Sequence, residues 1–166
     1  LLLTVDEETG MSGARELDAS MLTATRMINL DAEEEGVLYV GCAGGQDTIV
    51  TAEVARGETP SSAVAMQVAV KGLRGGHSGL DIVCNRGNAI RLLVHALRQL
   101  ELPHRLVHIE GGSKRNAIPR EASAVIQMSA ADAEKLAVRL EVLQGELYGL
   151  HADSESQLTL ESLPAT

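Results

Sequence analysis

Four short words in this 166-residue sequence carry side chains suited to chemistry. The first is Thr4-Val5-Asp6-Glu7-Glu8-Thr9-Gly10. Adjacent glutamates at the end of an extended run point different ways, so one can bind a metal ion while its neighbour faces a metal-bound water. A metal lowers the pKa of that water, and a placed carboxylate accepts its proton. The second word is Asn29-Leu30-Asp31-Ala32-Glu33-Glu34-Glu35-Gly36, in which Asp31 directly follows a short apolar stretch and is the candidate ligand. Glu33, Glu34 and Glu35 read as solvated. The third is Lys71-Gly72-Leu73-Arg74-Gly75-Gly76-His77-Ser78-Gly79. A histidine flanked by small residues can approach a substrate closely and donate to a developing oxyanion; the alternative is a loop histidine with no task. The fourth runs from Gly111 to Glu121 around Asn116-Ala117-Ile118-Pro119. Asn116 either fixes a backbone turn there or donates to a ligand carbonyl.

These words must be held by something. Leu1–Val5 is an apolar run that stops at Asp6, and Ile28-Asn29-Leu30 stops at Asp31, so two strands ending in acids would bring carboxylates to one sheet edge. A short helix is expected over Ser20–Met27, and a strand over Val37–Cys42 before the turn Ala43-Gly44-Gly45. Thr48–Arg56 and Ser62–Lys71 alternate apolar and polar residues, with Val64, Met66, Val68 and Val70 on one face. Asn88–Leu100 places Ile90, Leu93, Val94, Leu97 and Leu100 at helical spacing. Arg105–Ile109 and Ser123–Ser129 read as strands flanking the fourth word. Ala131–Tyr148 is a second amphipathic helix, starting at Ser129 or Asp132, with Leu136, Leu140, Leu143 and Leu147 inward. Gln157–Leu160 reads as a last strand. From residue 47 the order is β-β-α-β-β-α-β, which suits an α+β sandwich with an antiparallel sheet and two helices on one face.

Composition narrows the class. Hydrophobic residues make up 45% and aromatic residues 1%, so the core must be aliphatic. The net charge is −9, and residues 1–36 carry −7 of it: nine acids against Arg15 and Arg26. Such a cluster is either a solvated acidic face or a site for a divalent cation. The charge changes from acidic to balanced near Ala43–Asp47, where a domain boundary is expected. A general nucleic-acid binder needs a basic face and stacking aromatics, and this chain has neither. No apolar run reaches the roughly 18 residues of a membrane span. Cys42 and Cys84 are too few for a disulfide framework and form no Cys-x-x-Cys pair, which suits a reducing, cytoplasmic setting. The first residue is Leu1, and the chain reads as a piece of a longer protein.

Taken in order, VDEETG, NLDAEEEG, GCAGG, KGLRGGHSG, GNA and GGSKRNAIPREA resemble the dinuclear zinc metallopeptidases that include the aminoacylases and carboxypeptidase G. GGHSG and RNAIPREA resemble the aminoacyl-histidine dipeptidase (Xaa-His dipeptidase) branch in particular. The words span residues 4–122, and residues 123–166 fit only in helix and strand rhythm. The resemblance implies that residues 1–46 are part of a catalytic α/β sheet and residues 47–166 a lid and dimerisation domain. It implies Glu7 as general base, Glu8 and Asp31 as ligands to two zinc ions (cobalt or manganese as substitutes), His77 as oxyanion stabiliser, often reaching across a dimer, and Asn116 as a substrate-binding residue. The implied reaction is attack of a zinc-bridging water on the peptide carbonyl of a small dipeptide, with Glu7 taking and returning the proton.

The departures are equally specific. An upstream His-x-Asp word, a bridging aspartate, a histidine near the C-terminus and an arginine for the substrate carboxylate have no counterpart here. His95, His104, His108 and His151 read as structural or exposed. Two of about five zinc ligands are therefore present, and this stretch alone is expected to be inactive. Two other readings stand beside the dipeptidase. One is a lid and dimerisation module with no chemistry of its own; the other is a related tripeptidase or N-acyl-amino-acid deacylase.

Overall fold

A strand in which Val64, Met66, Val68 and Val70 alternate with Ala65, Gln67, Ala69 and Lys71 presents one apolar face, because successive side chains point to opposite sides of a pleated backbone. That strand organises the domain. The structure is a computed structural model, and it describes residues 1–31, 34–42, 44, 46, 48–58, 60–151, 155 and 157–165. In chain order the elements are α1 (Ser12–Arg15), β1 (Val64–Lys71), β2 (Gly76–His77), α2 (Ala89–Arg98), β3 (Arg105–Gly111), β4 (Ala117–Ile118), β5 (Ala122–Met128), α3 (Ala130–His151) and β6 (Thr159–Pro164). Single 3-10 turns lie at Ala19–Met21 and Ile82–Cys84. The chain divides into two units, Leu1–Ala52 and Glu53–Thr166.

The second unit is built on a four-stranded antiparallel sheet in the order β3-β5-β1-β6, with a separate two-stranded ladder of β2 and β4. Register puts Val68 opposite both Ala124 and Ser162, and Val70 opposite Ala122 and Leu160, so one face of the sheet is apolar apart from the half-buried Ser162 on β6. Both long helices cover it. α2 buries Ala89, Leu92, Leu93, Ala96 and Leu97, and Leu100 just beyond it is fully buried. α3 buries Leu136, Leu140, Leu143 and Leu147, one residue per turn. Together with Val68, Val70, Ala124 and Ile126 these form one continuous core.

Local chemistry fixes the helix ends. The Asn88 side chain accepts from the Arg91 amide at 3.2 Å at the start of α2. The Ser129 hydroxyl accepts from the Asp132 amide at 3.1 Å and donates to the Asp132 carboxylate at 2.8 Å at the start of α3. That hydroxyl, rather than any nearby cation, is the main influence holding the Asp132 carboxyl below its ordinary range. Beyond α2 the chain turns at Glu101, which takes a left-handed φ of 57°. Arg139 of α3 stabilises this turn by donating to the carbonyls of Leu100 at 3.3 Å and Gln99 at 2.9 Å and to the Glu101 carboxylate at 2.8 Å. One guanidinium thus ties the two core helices together, consistent with its fork of donors.

Several expectations need correction. Val94 was expected inward but is 40% exposed; Leu92 and Ala96 take the inward face, because Ala89, Leu92, Leu93, Ala96 and Leu100 form the tighter stripe. In the first unit the expected strands Leu1–Val5, Ile28–Leu30 and Val37–Cys42 are not formed, and neither is Thr48–Arg56, which spans the division. Their apolar side chains, such as Leu3, Ile28, Leu38 and Val50, are exposed. A strand needs a neighbour for its backbone groups, and these runs have none among the described residues. The helix expected over Ser20–Met27 is reduced to the turn Ala19–Met21, whose cap is Asp18 accepting from the Ser20 amide at 2.8 Å. Met21 and Leu22 are 71% and 52% exposed, so little burial offsets the cost of nucleating a short helix. Glu34 and Glu35 are exposed, as expected of solvated acids. Glu33, and Ala43, Gly45 and Asp47 at the expected boundary, lie outside the described residues.

Candidate functional site

The loop that leaves β1 has to fold back sharply, and its glycines permit this. At Gly72, φ is +78° and a Cβ would stand 1.9 Å from the Gln157 carbonyl oxygen, so no other residue fits without moving backbone. The chain then passes Arg74 and enters β2, where Gly76 pairs with Ile118 and His77 with Ala117. The Ser78 amide donates to the Asn116 carbonyl at 2.8 Å, extending this contact by one residue. The two words around His77 and Asn116, well separated in sequence, therefore meet in one ladder.

His77 is exposed, but its ring is oriented. Its Nδ1 accepts from the backbone amides of Gly79 at 3.0 Å and Leu80 at 3.2 Å. A ring nitrogen that accepts N–H bonds carries no proton, so in the neutral imidazole the proton resides on Nε2. A Cβ on Gly79 would lie 3.2 Å from the ring, a tight contact that the glycine avoids. The result is a single N–H donor held outward on a folded loop, the arrangement that suits a developing negative oxygen. The sequence led to the expectation of a donor at His77; the two amides set which ring nitrogen carries the proton.

A second layer of bonds supports this loop. The His77 amide donates to the Asp81 carboxylate at 2.7 Å, and Asp81 pairs with Arg86 at 2.8 Å. Arg86 also donates to the Gly75 carbonyl, and Arg120 Nε to the Leu73 carbonyl at 3.1 Å. Neither Asp81 nor Arg86 was singled out in the sequence. The only available signal was their opposite charge at i, i+5 spacing within an exposed loop, which is common. Asn116 is exposed, and among the described residues its carboxamide has no protein partner, so it is available to a ligand. Its backbone carbonyl accepts from the Ser78 amide at 2.8 Å. A cleft of about 650 Å³ opens between these words, lined by Ser78, Asn88, Arg91, Lys114 and Pro119. Its charged lining residues are basic, which favours an anionic group.

The acidic words belong to the first unit. Glu7 and Glu8 occupy a turn that Asp6 shapes: Asp6 takes a φ of 60°, its carbonyl accepts from the amides of Thr9 at 3.2 Å and Met11 at 2.6 Å, and its carboxylate accepts from the Ser12 hydroxyl. Asp31 is exposed, and its amide donates to the Asn29 side chain at 3.0 Å. Among the described residues no three His, Cys, Asp or Glu side chains gather in a way that could hold a metal ion. A closed centre needs about four ligands, so Glu8 and Asp31 alone do not fit one. His104 and His108 have local partners, the Leu102 carbonyl at 2.7 Å and Glu110 at 3.4 Å.

Comparison with known proteins gives three findings. A family model described as a peptidase dimerisation domain matches residues 68–152. The chain is 42% identical over 162 residues to the cytosol non-specific dipeptidase of Escherichia coli (strain K12), covering 96% of this chain and 33% of that protein. Its fold is similar to the crystal structure of an aminoacylhistidine dipeptidase from Vibrio alginolyticus, with a TM-score of 0.71 and 37% identity, covering 98% of this chain and 34% of that one. The chain thus spans about a third of the length of these relatives.

Proposed function

The chain belongs to the peptidase dimerisation-domain family, and from that premise we propose that the protein carrying it is a metal-dependent dipeptidase acting on Xaa-His dipeptides. The observation that carries this reading is the imidazole of His77, fixed by two backbone amides with its Nε2–H outward, with Asn116 just before the strand that pairs with it. Both relatives named above are described as dipeptidases, and one as cytosolic, which supports a cytoplasmic enzyme. No helix among the described residues is long and apolar enough to cross a membrane.

In this reading Glu7 is the general base that takes a proton from the attacking water and returns it to the leaving amine. His77 donates to the oxyanion of the tetrahedral intermediate, and Asn116 holds the substrate through its free carboxamide. Glu8 and Asp31 supply carboxylates to a divalent metal centre, zinc first, with cobalt or manganese as substitutes, whose other ligands come from outside this chain. Such a centre supplies Lewis acidity and a more acidic water when formed. Residues 47–166 act as lid and as the surface through which two copies pair, the pairing being supported by the description of the matching family.

The test is a substrate panel given to the complete enzyme. Xaa-His dipeptides should be hydrolysed well ahead of tripeptides and N-acyl amino acids, and activity should be lost on chelation and restored by zinc. Preference for the acylated amino acids would move the protein to the deacylase reading. The 166-residue chain by itself should be inactive and bind zinc weakly, since two exposed carboxylates leave most of the coordination sphere to water. Robust turnover of a Xaa-His dipeptide by the isolated chain would refute the assignment of the missing ligands. A second reading, a dimerisation module without chemistry, rests on the description of the matching family; it predicts an inactive complete protein.

A further inference from the structure

Glu155 is the one charged residue among the described residues with no exposed surface, and no part of the site described so far uses it. It follows α3 in a polar stretch, well away in sequence from each of the four chemical words. Its two oxygens do two different things. Oε2 accepts from the Arg74 amide at 2.7 Å, and Oε1 accepts from the Gly87 amide at 2.8 Å. Arg74 stands three residues before His77, and Gly87 closes the same excursion just before the cap of α2. One carboxylate therefore grips both ends of the segment 74–87 that carries the histidine.

Burying a carboxylate is costly unless donors replace the water it loses, and breaking such a set leaves an uncompensated group in the interior. Both oxygens here receive a main-chain donor, so the arrangement resists spreading of the two chain ends. The inner bonds of the segment fit on top of this base: Arg86 to the Gly75 carbonyl and to Asp81, and Asp81 to the His77 amide. Gly87 leaves room for this carboxylate: a Cβ there would lie 3.3 Å from the Glu155 Cγ, a tight contact. The chain at Gln157, two residues on, is what excludes a side chain at Gly72. The segment after α3 thus closes the histidine loop from below at three points.

We propose that Glu155 is a positioning residue for His77: it fixes the base of the 74–87 segment so that the Gly79 and Leu80 amides meet Nδ1 and the Nε2 donor points where an oxyanion forms. The catalytic part of this statement rests on the dipeptidase reading; the grip on the loop does not. Misplacing a donor by about 1 Å is enough to cost on the order of 100-fold in rate.

The test uses the complete enzyme with Glu155→Gln, which keeps the shape but turns one acceptor into a donor facing an N–H. Hydrogen exchange is followed by mass spectrometry on peptides covering residues 72–87. The amides of residues 79 and 80 should exchange at least about tenfold faster, with β1, β5 and α2 unchanged. On a Xaa-His dipeptide kcat should fall about tenfold or more with KM within about threefold, and adding Glu155→Gln to His77→Ala should change kcat less than about twofold. Unchanged exchange at residues 79 and 80 would overturn the proposal. So would faster exchange spread through the sheet, or an equal loss of kcat in the His77→Ala background. Glu155→Asp, which reaches only one of the two amides, should lie between wild type and Glu155→Gln. Failure of both variants to fold would assign Glu155 to the fold as a whole and also overturn it. If the wild-type enzyme hydrolyses no dipeptide, the dipeptidase reading fails, and the exchange result alone decides the grip of Glu155 on the loop.

Discussion

Replacing His77 with alanine in the complete enzyme should lower kcat about 100- to 1000-fold, the range found when one preorganised oxyanion donor is removed, or about 3–4 kcal/mol of transition-state stabilisation. The reason lies in when the bond is made. A neutral carbonyl accepts weakly, and the negative oxygen of the tetrahedral intermediate accepts strongly, so an outward N–H contributes mainly in the transition state. KM should therefore move little. His77→Gln offers an amide N–H at a shorter reach and should recover part of the loss. Steady-state kinetics on one dipeptide separates the cases. A raised KM at constant kcat would make His77 a ground-state binding residue instead. The fixed tautomer matters here: with Nδ1 held by Gly79 and Leu80, the donor is present without any reorganisation as charge develops.

Gly72→Ala should be the most damaging glycine-to-alanine change among the described residues. Its Cβ would sit 1.9 Å from the Gln157 carbonyl oxygen, far inside contact distance, and its φ of +78° strains any L side chain. The neighbour is backbone, so it cannot rotate away. Either the Gly72 turn or the segment after α3 must move, and that segment also carries Glu155. A loss of about 3 kcal/mol or more is expected from the strain and the broken contacts together. For a domain of this size that is a fall of roughly 10 °C or more in Tm. Thermal unfolding of the 166-residue chain measures it. A change below about 1 kcal/mol would mean that the approach of Gln157 to Gly72 is not kept in solution.

The two helices and the sheet of the second unit were legible because period and burial agree there. Leu136, Leu140, Leu143 and Leu147 are spaced for a helix and all are buried, and Val64 to Val70 alternate and share one face. Asn88 and Ser129 marked helix starts because their side chains satisfy orphan amides. The first unit was not legible in the same way. Its apolar runs look like strands, but propensity describes how a segment fits a neighbour, and the described residues give Leu3 or Val40 no partner. In the site, His77 and Asn116 stood out because small residues and a proline surround them. Their meeting at the ladder of β2 and β4 could not be read from the sequence, since each strand is two residues long. Glu155 was invisible for a further reason: its partners are main-chain amides, and any residue type supplies those.

The position of β1 in the sheet has a consequence for how the chain is made. β1 is an inner strand that lies between β5 and β6. Val70 is opposite Ala122 on one side and Leu160 on the other. At roughly 5–20 residues per second on the ribosome, the roughly 90 residues from Val70 to Leu160 take about 5–18 s to emerge. Throughout that interval Val64, Met66, Val68 and Val70 form an apolar strand with at least one unpaired edge, the kind of segment that chaperones bind and that aggregates. Yield of soluble protein should therefore respond to translation speed and chaperone supply more than the finished domain, with its closed aliphatic core, would suggest.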